Sequence, residues 1–171
     1  MEPARARIFG VAGWSGSGKT TLIEQLIPRL RASGVRVSLI KHAHHDFDVD
    51  QPGKDSYRHR HAGCSEVLIT SGVRWALMHE LRGGSELSLE QAIDRLSPCD
   101  LVIVEGFKWA PIPKLEVHRP SVGKPLLHPQ DPFVCAIASD RPIPTALPRF
   151  DLSAIDEIAT FISKRTGLSG T

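Results

Sequence analysis

The chain has 171 residues, of which 41% are hydrophobic and 23% charged, a composition typical of a soluble globular protein. A formal net charge of +2 is too small to favour nucleic acid as a bulk partner, and no apolar run approaches the roughly 18 residues that span a membrane. We expect no signal peptide, because the first apolar stretch is short and runs directly into a glycine-rich segment. The length predicts a single domain over residues 1–171.

The N-terminal region predicts a strand, a glycine-rich loop and a helix in succession. Residues 7–12 are short and apolar, like a buried strand, and leucines and isoleucines recur at helical spacing after residue 20. Between them, residues 13–20 read Gly-Trp-Ser-Gly-Ser-Gly-Lys-Thr, which matches the Walker A pattern Gly-x-x-x-x-Gly-Lys-Ser/Thr. Because this phosphate-binding motif requires that order of elements, an incidental glycine-rich turn is the weaker interpretation.

Each residue type in the loop suits the binding of a polyphosphate. Glycines allow successive N–H groups to point inward around an anion, and the following helix adds its positive N-terminal end. Lys19 supplies charge for the outer phosphates, and the Thr20 hydroxyl is suited to Mg²⁺. The indole ring of Trp14 has two possible roles, stacking on the base of the nucleotide or packing locally in the protein, and we favour local packing. The predicted nucleotide contacts in this region are Gly13, Trp14, Ser15, Gly16, Ser17, Gly18, Lys19, Thr20 and Thr21.

The rest of the chain continues the alternation of strands and helices. Further strands are predicted at 35–40, 67–70, 73–79, 101–104, 114–118 and 133–139, and further helices at 55–61, 88–96 and from about Ser153. Pro28 should bend the first helix near Ile27, and the Ser71-Gly72 turn predicts an antiparallel hairpin. The pattern predicts an α/β fold of the three-layer P-loop NTPase type, with a mostly parallel twisted sheet, this hairpin, and helices on both faces.

Acidic residues at the ends of predicted strands complete the nucleotide site, because ligands of open α/β sheets bind beyond the carboxyl ends of the strands. Glu105 follows the most apolar strand, where a Walker B acid would hold Mg²⁺ directly or through water; a surface glutamate is the alternative. Lys19 and Glu105 are therefore the candidate catalytic residues. Asp140 follows the strand at 133–139 and is placed to accept hydrogen bonds from N1 and N2 of guanine, although the Asn-Lys-x-Asp motif is absent.

A histidine-rich segment follows the second strand, since five of the eight histidines lie between His42 and His61. Three interpretations are open. In the first, the segment binds a transition metal. In the second, one of its acids, for which Asp46 is the candidate, orients Mg²⁺ or the attacking water. In the third, the segment is a solvated loop. No spacing such as His-Glu-x-x-His is present, which makes metal capture the weaker interpretation.

A basic helix face follows this segment. Lys54, Arg58 and His61 fall at i, i+4 and i+7, so they share one side of the short helix predicted at 55–61. A solvated charged face and a binding site for a second anion, such as another phosphate, are equally supported by this pattern.

Three cysteines, Cys64, Cys99 and Cys135, are far apart and odd in number. They match neither a zinc-binding spacing nor a disulfide framework. Small thiols in a reducing compartment are the simpler interpretation, and we therefore expect a cytoplasmic protein.

Several segments together resemble the MobB family, the molybdopterin-guanine dinucleotide biosynthesis adaptor proteins. The resemblance covers nearly the whole chain, and the His-Asp and Glu-Gly-Phe-Lys segments are more specific to that family than the phosphate loop is. The segments are 13–20, Lys41–Asp50, Gly53–Arg60, Val104–Lys108 and Pro113–Arg119.

The resemblance implies a cytoplasmic, homodimeric GTP-binding protein with at most a slow GTPase activity. Such proteins assist the nucleotidyltransferase that joins GMP to Mo-molybdopterin. By position, Lys19 and Thr20 carry over as contacts to phosphate and Mg²⁺, and Glu105 as the Walker B acid. Neither the residues nor the resemblance assigns a role to His42, His44 or His45.

Hydrolysis should be slow, because the sequence suggests no obvious arginine finger near the loop. The basic face at 54–61 would hold the phosphate of molybdopterin beside the nucleotide. The residues leave two other functions possible, a metal-delivery GTPase that uses the histidines and a small-molecule kinase. A kinase needs a lid over its substrates, and the polar segment at 41–53 is short for that role.

Overall fold

The structure is a computed structural model that describes residues 6–43 and 46–168. Its strands are β1 (Arg7–Ala12), β2 (Val37–Lys41), β3 (Glu66–Thr70), β4 (Trp75–His79), β5 (Leu101–Glu105), β6 (Lys114–His118), β7 (Val134–Ser139) and β8 (Arg149–Asp151). Its helices are α1 (Lys19–Ala32), α2 (Asp55–His61), α3 (Leu89–Ile93) and α4 (Ile155–Thr166), with a 3₁₀ turn at Pro120–Val122. Each of these helices is too short or too polar to cross a membrane, as far as the described residues extend.

The main sheet contains six parallel strands in the order β2-β5-β1-β6-β7-β8. Because all six run in the same direction, their carboxyl ends lie along one edge. The phosphate loop leaves β1 at this edge, and the registers place Lys41 of β2 opposite Glu105 of β5. The segments after β6 and β7 emerge on the other side of β1. This edge therefore gathers side chains that are far apart in the sequence.

Both faces of the sheet are covered, which explains why β5 is apolar at successive positions. Leu101 and Ile103 pack with α1 and α4 on one face, whereas Val102 and Val104 pack with α3 on the other. All four are fully buried. A strand covered on both sides needs apolar residues on both sides, which gives a continuous run instead of alternation. The three-layer α/β fold predicted from the sequence is confirmed.

The chain divides into two compact units, a larger one formed by residues up to His42 and from Leu89 onward, and a smaller one, Ala43–Ser88. The smaller unit holds α2 and the predicted hairpin, in which β3 and β4 pair antiparallel. The turn is closed by a hydrogen bond from the amide of Ser71 to the carbonyl of Arg74. The assignment of 1–171 to a single domain stays a prediction.

Some element boundaries differ from those predicted. β2 begins at Val37, two residues later than expected, and α3 ends at Ile93 instead of reaching Leu96. The short edge strand β8 was not predicted, because three residues between proline-rich loops carry no periodic signal. α1 continues through Pro28 to Ala32, and the bend near Ile27 stays a prediction.

Candidate nucleotide-binding site

The backbone of the phosphate loop depends on glycine at defined positions. Gly13 has a φ of 151°, and a Cβ there would lie 2.4 Å from the carbonyl oxygen of Val117 on β6, so no larger residue fits. Gly16 and Gly18 have φ values of 79° and 97°, which side chains rarely adopt. The hydroxyl of Ser17 is buried without a hydrogen-bond partner in the described part of the chain. A buried polar atom of this kind suits a site that closes around a polar ligand.

Lys19 begins α1 and turns back over the loop, where its Nζ donates a 2.9 Å hydrogen bond to the carbonyl of Trp14. Burial lowers the pKa of Lys19 from its ordinary value. The carboxylate of Glu105 acts in the opposite direction, and the charges of Lys108 and Lys41 lower the pKa further. Lys19 thus lies near two other cations and one carboxylate, and a polyphosphate would supply the missing negative charge.

Thr20 and Glu105 meet directly although they are far apart in the sequence. The Thr20 hydroxyl donates a 2.7 Å hydrogen bond to Oε1 of Glu105, and the other carboxylate oxygen lies 3.6 Å from Nζ of Lys41. Glu105 is buried at the end of β5. Mg²⁺ in nucleotide sites takes one or two protein oxygens together with phosphate oxygens and waters. The hydroxyl and carboxylate found here fit that donor set.

Trp14 is held by its own surroundings. Its indole Nε1 donates a 2.7 Å hydrogen bond to the carbonyl of Pro125, and Nζ of Lys108 lies 3.6 Å from the ring centroid. Burial lowers the pKa of Lys108 below its ordinary value. These contacts agree with the local packing favoured for Trp14, since its indole N–H and its ring already have partners.

Arg119, which the sequence did not single out, lies against the phosphate loop. Its Nε donates a 3.0 Å hydrogen bond to the carbonyl of Ser17, and its Nη1 lies 2.8 Å from Oδ2 of Asp140. No sequence pattern indicated this arginine, although the absence of an obvious arginine finger stays a prediction. Arg119 follows β6 and reaches the loop only because β6 lies beside β1 in the sheet, an order of strands that the linear sequence does not state.

The histidine-rich segment is only partly described. His42 packs its ring against Phe107 at 4.6 Å between centroids, and the two strand ends approach closely because Gly106 lacks a Cβ, which would lie 2.8 Å from that of His42. His44 and His45 lie outside the described residues. Across 6–43 and 46–168, no group of three or more His, Cys, Asp and Glu side chains is arranged to hold a metal ion. Asp46 is exposed and belongs to the smaller unit.

In the smaller unit, Arg60 forms ion pairs with three carboxylates, although it was not part of the predicted basic face. Its guanidinium binds Asp48 and lies 2.8 Å from Asp50 and 3.1 Å from Glu80. The hydrogen bonds with Arg60 lower the pKa of Asp50, which is buried, and those with Asp50, Asp48 and Glu80 raise the pKa of Arg60. Arg60 therefore connects α2 with the segment at 48–50 and with Glu80, the residue directly after β4.

The predicted second anion site is only partly assembled. Arg58 and His61 line one concavity of about 590 Å³ on α2, whereas Lys54 is not part of its lining. The ring of His61 stacks on Tyr57 with 3.9 Å between centroids. The concavity also includes Asp55, so one carboxylate accompanies the cations.

Residues 8–140 match the family model described as "MobB: Molybdopterin guanine dinucleotide synthesis protein B". The match covers most of the larger unit, including the phosphate loop, Glu105 and Arg119, as well as all of the smaller unit. The chain belongs to the MobB family.

Known MobB-family proteins resemble this chain over nearly its full length. The molybdopterin-guanine dinucleotide biosynthesis adapter protein of Haemophilus influenzae is 47% identical over 157 residues, which are 91% of this chain and 86% of that protein. The adapter protein of Escherichia coli is 44% identical over 158 residues, 91% of this chain and 90% of that protein. The crystal structure of molybdopterin-guanine biosynthesis protein B superimposes with a TM-score of 0.73 at 30% identity and covers 92% of this chain and 99% of that one.

Proposed function

We propose that this chain is a cytoplasmic GTP-binding accessory protein of molybdenum cofactor biosynthesis, which assists the transferase that attaches GMP to Mo-molybdopterin. The observation that carries the proposal is the convergence of the glycine loop, Lys19, Thr20 and Glu105 at one edge of the sheet. Its relatives in Haemophilus influenzae and Escherichia coli are named adapter proteins of molybdopterin-guanine dinucleotide biosynthesis, which supports the role.

The residues of the site suit binding better than rapid hydrolysis. The loop amides and the start of α1 bind the phosphates, Lys19 compensates their charge, and Thr20 and Glu105 would hold Mg²⁺, which neutralises phosphate charge when bound. Arg119 is tied to Ser17 and Asp140, so it is not directed at the outer phosphate as a catalytic arginine would be. Because such an arginine is worth about 10³–10⁵ in rate, hydrolysis should be slow.

The concavity with Arg58 and His61 is our candidate for binding the phosphate of molybdopterin. Arg60 is excluded from this role, because its charge is already matched by Asp48, Asp50 and Glu80. A protein that holds the nucleotide and molybdopterin for the transferase would contribute mainly by positioning, which in the best cases removes about 7–11 kcal/mol of a barrier.

A homodimer is also part of the proposal, and the hairpin of the smaller unit supports it. Leu68, Trp75 and Leu77 lie on one side of the hairpin and are 61%, 67% and 51% exposed. A two-stranded hairpin is marginally stable alone, and an apolar face of this kind is usually covered. A second copy of the chain would cover it.

Titration calorimetry with GTP, ATP and GDP in the presence of Mg²⁺ tests the nucleotide part, in the wild type and in Lys19→Ala. We expect GTP to bind most tightly and Lys19→Ala to weaken its binding. Arg29→Ala, which removes one member of an exposed ion pair between α1 and α4, should have no effect. Adding the protein to the purified transferase should raise the yield of the dinucleotide. Equal GTP affinity in Lys19→Ala, or tighter binding of ATP, would contradict the proposal.

A further inference from the structure

Arg119 connects two parts of the larger unit that the sequence places far apart. From the end of β6 its guanidinium reaches the phosphate loop at Ser17 and the end of β7 at Asp140, at 3.0 and 2.8 Å. It also lies close under Gly18, where a Cβ would come within 3.3 Å of Nε. One side chain thus bridges the phosphate loop and Asp140.

A cleft lies beside Asp140, next to the last residues of β7 and to β8. It measures about 680 Å³ and is formed by the end of β7, the segment that follows it and β8. β7 is separated from β1 by β6 alone, so the cleft and the phosphate loop share one edge of the sheet. A nucleotide with its phosphates on the loop can place its base over this side, since ligands of such sheets lie beyond the strand ends.

We infer that Arg119 is a positioning residue for base recognition. It holds the carboxylate of Asp140 in the orientation that accepts hydrogen bonds from guanine, and it connects this carboxylate to the phosphate loop. The inference rests on the proposed binding of GTP. Guanine presents two donors on one edge, N1–H and the amino group at C2, and an ionised carboxylate only accepts. Adenine presents an acceptor at N1, which a carboxylate repels.

Asp140 keeps enough hydrogen-bonding capacity for this role. A carboxylate has about four lone-pair positions, and Arg119 uses one of them on Oδ2. Within the described residues, Oδ1 has no hydrogen bond. The bond to Arg119 therefore fixes the carboxylate without blocking its contact with two base donors.

The choice of arginine follows from the geometry. The guanidinium presents Nε and Nη1 in a rigid planar fork, so it can bind Ser17 and Asp140 at once, whereas a lysine has one nitrogen on a flexible chain. The side chains of Arg119 and Asp140 are 38% and 36% exposed, and exposed ion pairs contribute little to folding. Removing Arg119 should thus leave the fold intact and change the site.

The test compares binding of GTP, ATP and inorganic tripolyphosphate to the full chain and to Arg119→Ala, Arg119→Lys, Asp140→Asn and Arg119→Ala/Asp140→Asn, with Arg29→Ala as control. We expect Arg119→Ala and Arg119→Lys to lower the preference for GTP over ATP about ten- to hundredfold, as the loss of a charge-assisted contact does. Tripolyphosphate affinity should change less than about threefold, since the loop and Lys19 remain. The double variant should lose no more preference than Asp140→Asn alone.

The outcomes separate the inference from the proposed function. Loss of tripolyphosphate and GTP binding together in Arg119→Ala, with the preference kept, would mean that Arg119 only supports the loop, and would overturn the inference. Full preference in Arg119→Lys would also overturn it. If the wild type bound no nucleotide, or bound ATP more tightly than GTP, the proposed function itself would fail before Arg119 was tested.

Discussion

The hydroxyl of Thr20 donates a 2.7 Å hydrogen bond to Oε1 of Glu105, and this bond joins the first turn of α1 to the end of β5. The two oxygens are the donors that a magnesium ion would use, so the ion and this hydrogen bond compete for the same atoms.

Glu105→Gln should weaken GTP binding about tenfold when Mg²⁺ is present and leave it nearly unchanged in EDTA. The amide lacks the charge that favours the ion, but it keeps the shape of the side chain. Calorimetry with and without Mg²⁺ measures the difference, and Glu24→Gln on the exposed side of α1 is the matched control. The same loss under both conditions would remove Glu105 from the metal site.

Lys19→Ala should cost about 1.5–3 kcal/mol of GTP binding, the range of a charge-assisted hydrogen bond. The pH dependence gives a sharper test. Burial lowers the pKa of Lys19 in the free protein, and bound phosphate favours the protonated form, so binding takes up a proton. Wild-type affinity should therefore fall as the pH rises from the lowered pKa towards 10.5. This part of the profile should be missing in Lys19→Ala, and an identical profile in both proteins would refute the role.

Lys114→Met should destabilise the protein by about 3–5 kcal/mol. Nζ of Lys114 lies 2.7 Å from Oδ2 of Asp131, and the two side chains are only 1% and 3% exposed, so removing the lysine leaves a buried carboxylate without its charge partner. The double variant Lys114→Met/Asp131→Asn should be less destabilised than Lys114→Met. Urea unfolding gives the free energies, and a double variant worse than the single one would exclude this explanation.

The smaller unit should lose stability in acid through Asp50. Arg60 lowers the pKa of Asp50 below the usual 3.8, so the pair stabilises the folded form above that value. The contribution should decline as the pH falls from about 3.8 through the lower pKa of the folded state. Amide hydrogen exchange in α2 across this range measures it. Asp50→Asn should lack the pH-dependent part, whereas Asp55→Asn, an exposed change in the same helix, should keep it.

Trp75→Ser/Leu77→Ser should convert the proposed dimer to a monomer without unfolding the larger unit, because both side chains are exposed on one side of the hairpin. Light scattering after size-exclusion chromatography measures the mass. Val73→Ser in the turn is the control, since this residue is exposed but lies outside the two strands. A wild type that is monomeric at all concentrations would contradict the dimer, as would a double variant that remains dimeric.

Local patterns predicted much of this molecule. The spacing at 13–20 predicted a glycine loop between β1 and α1, and runs of apolar residues located β1, β5, β6 and β7 within one residue of their observed limits. These features depend on neighbours in the sequence. A strand that is covered on both faces must be apolar throughout, and a loop with positive φ angles favours glycine. In both cases the residues of the segment itself indicate its structure.

Arg119 and Arg60 could not be predicted in the same way. Arg119 reaches Ser17 across 102 positions, and Arg60 binds acids from two different segments. Helical spacing selected Arg58 and its neighbours as the basic face, but spacing on one helix does not show which cations meet acids from elsewhere. Such pairings depend on tertiary structure, for which the linear sequence holds no periodic signal.

The confinement of Trp14 between Lys108 and the carbonyl of Pro125 has a practical consequence. An indole whose surroundings belong to the phosphate loop changes its fluorescence when those surroundings move, so nucleotide arrival can be followed with no dye attached. With Trp75 and Trp109 replaced by phenylalanine, all tryptophan emission comes from this one ring. The intrinsic fluorescence of Trp14 would thus report directly on the occupancy of the proposed nucleotide site.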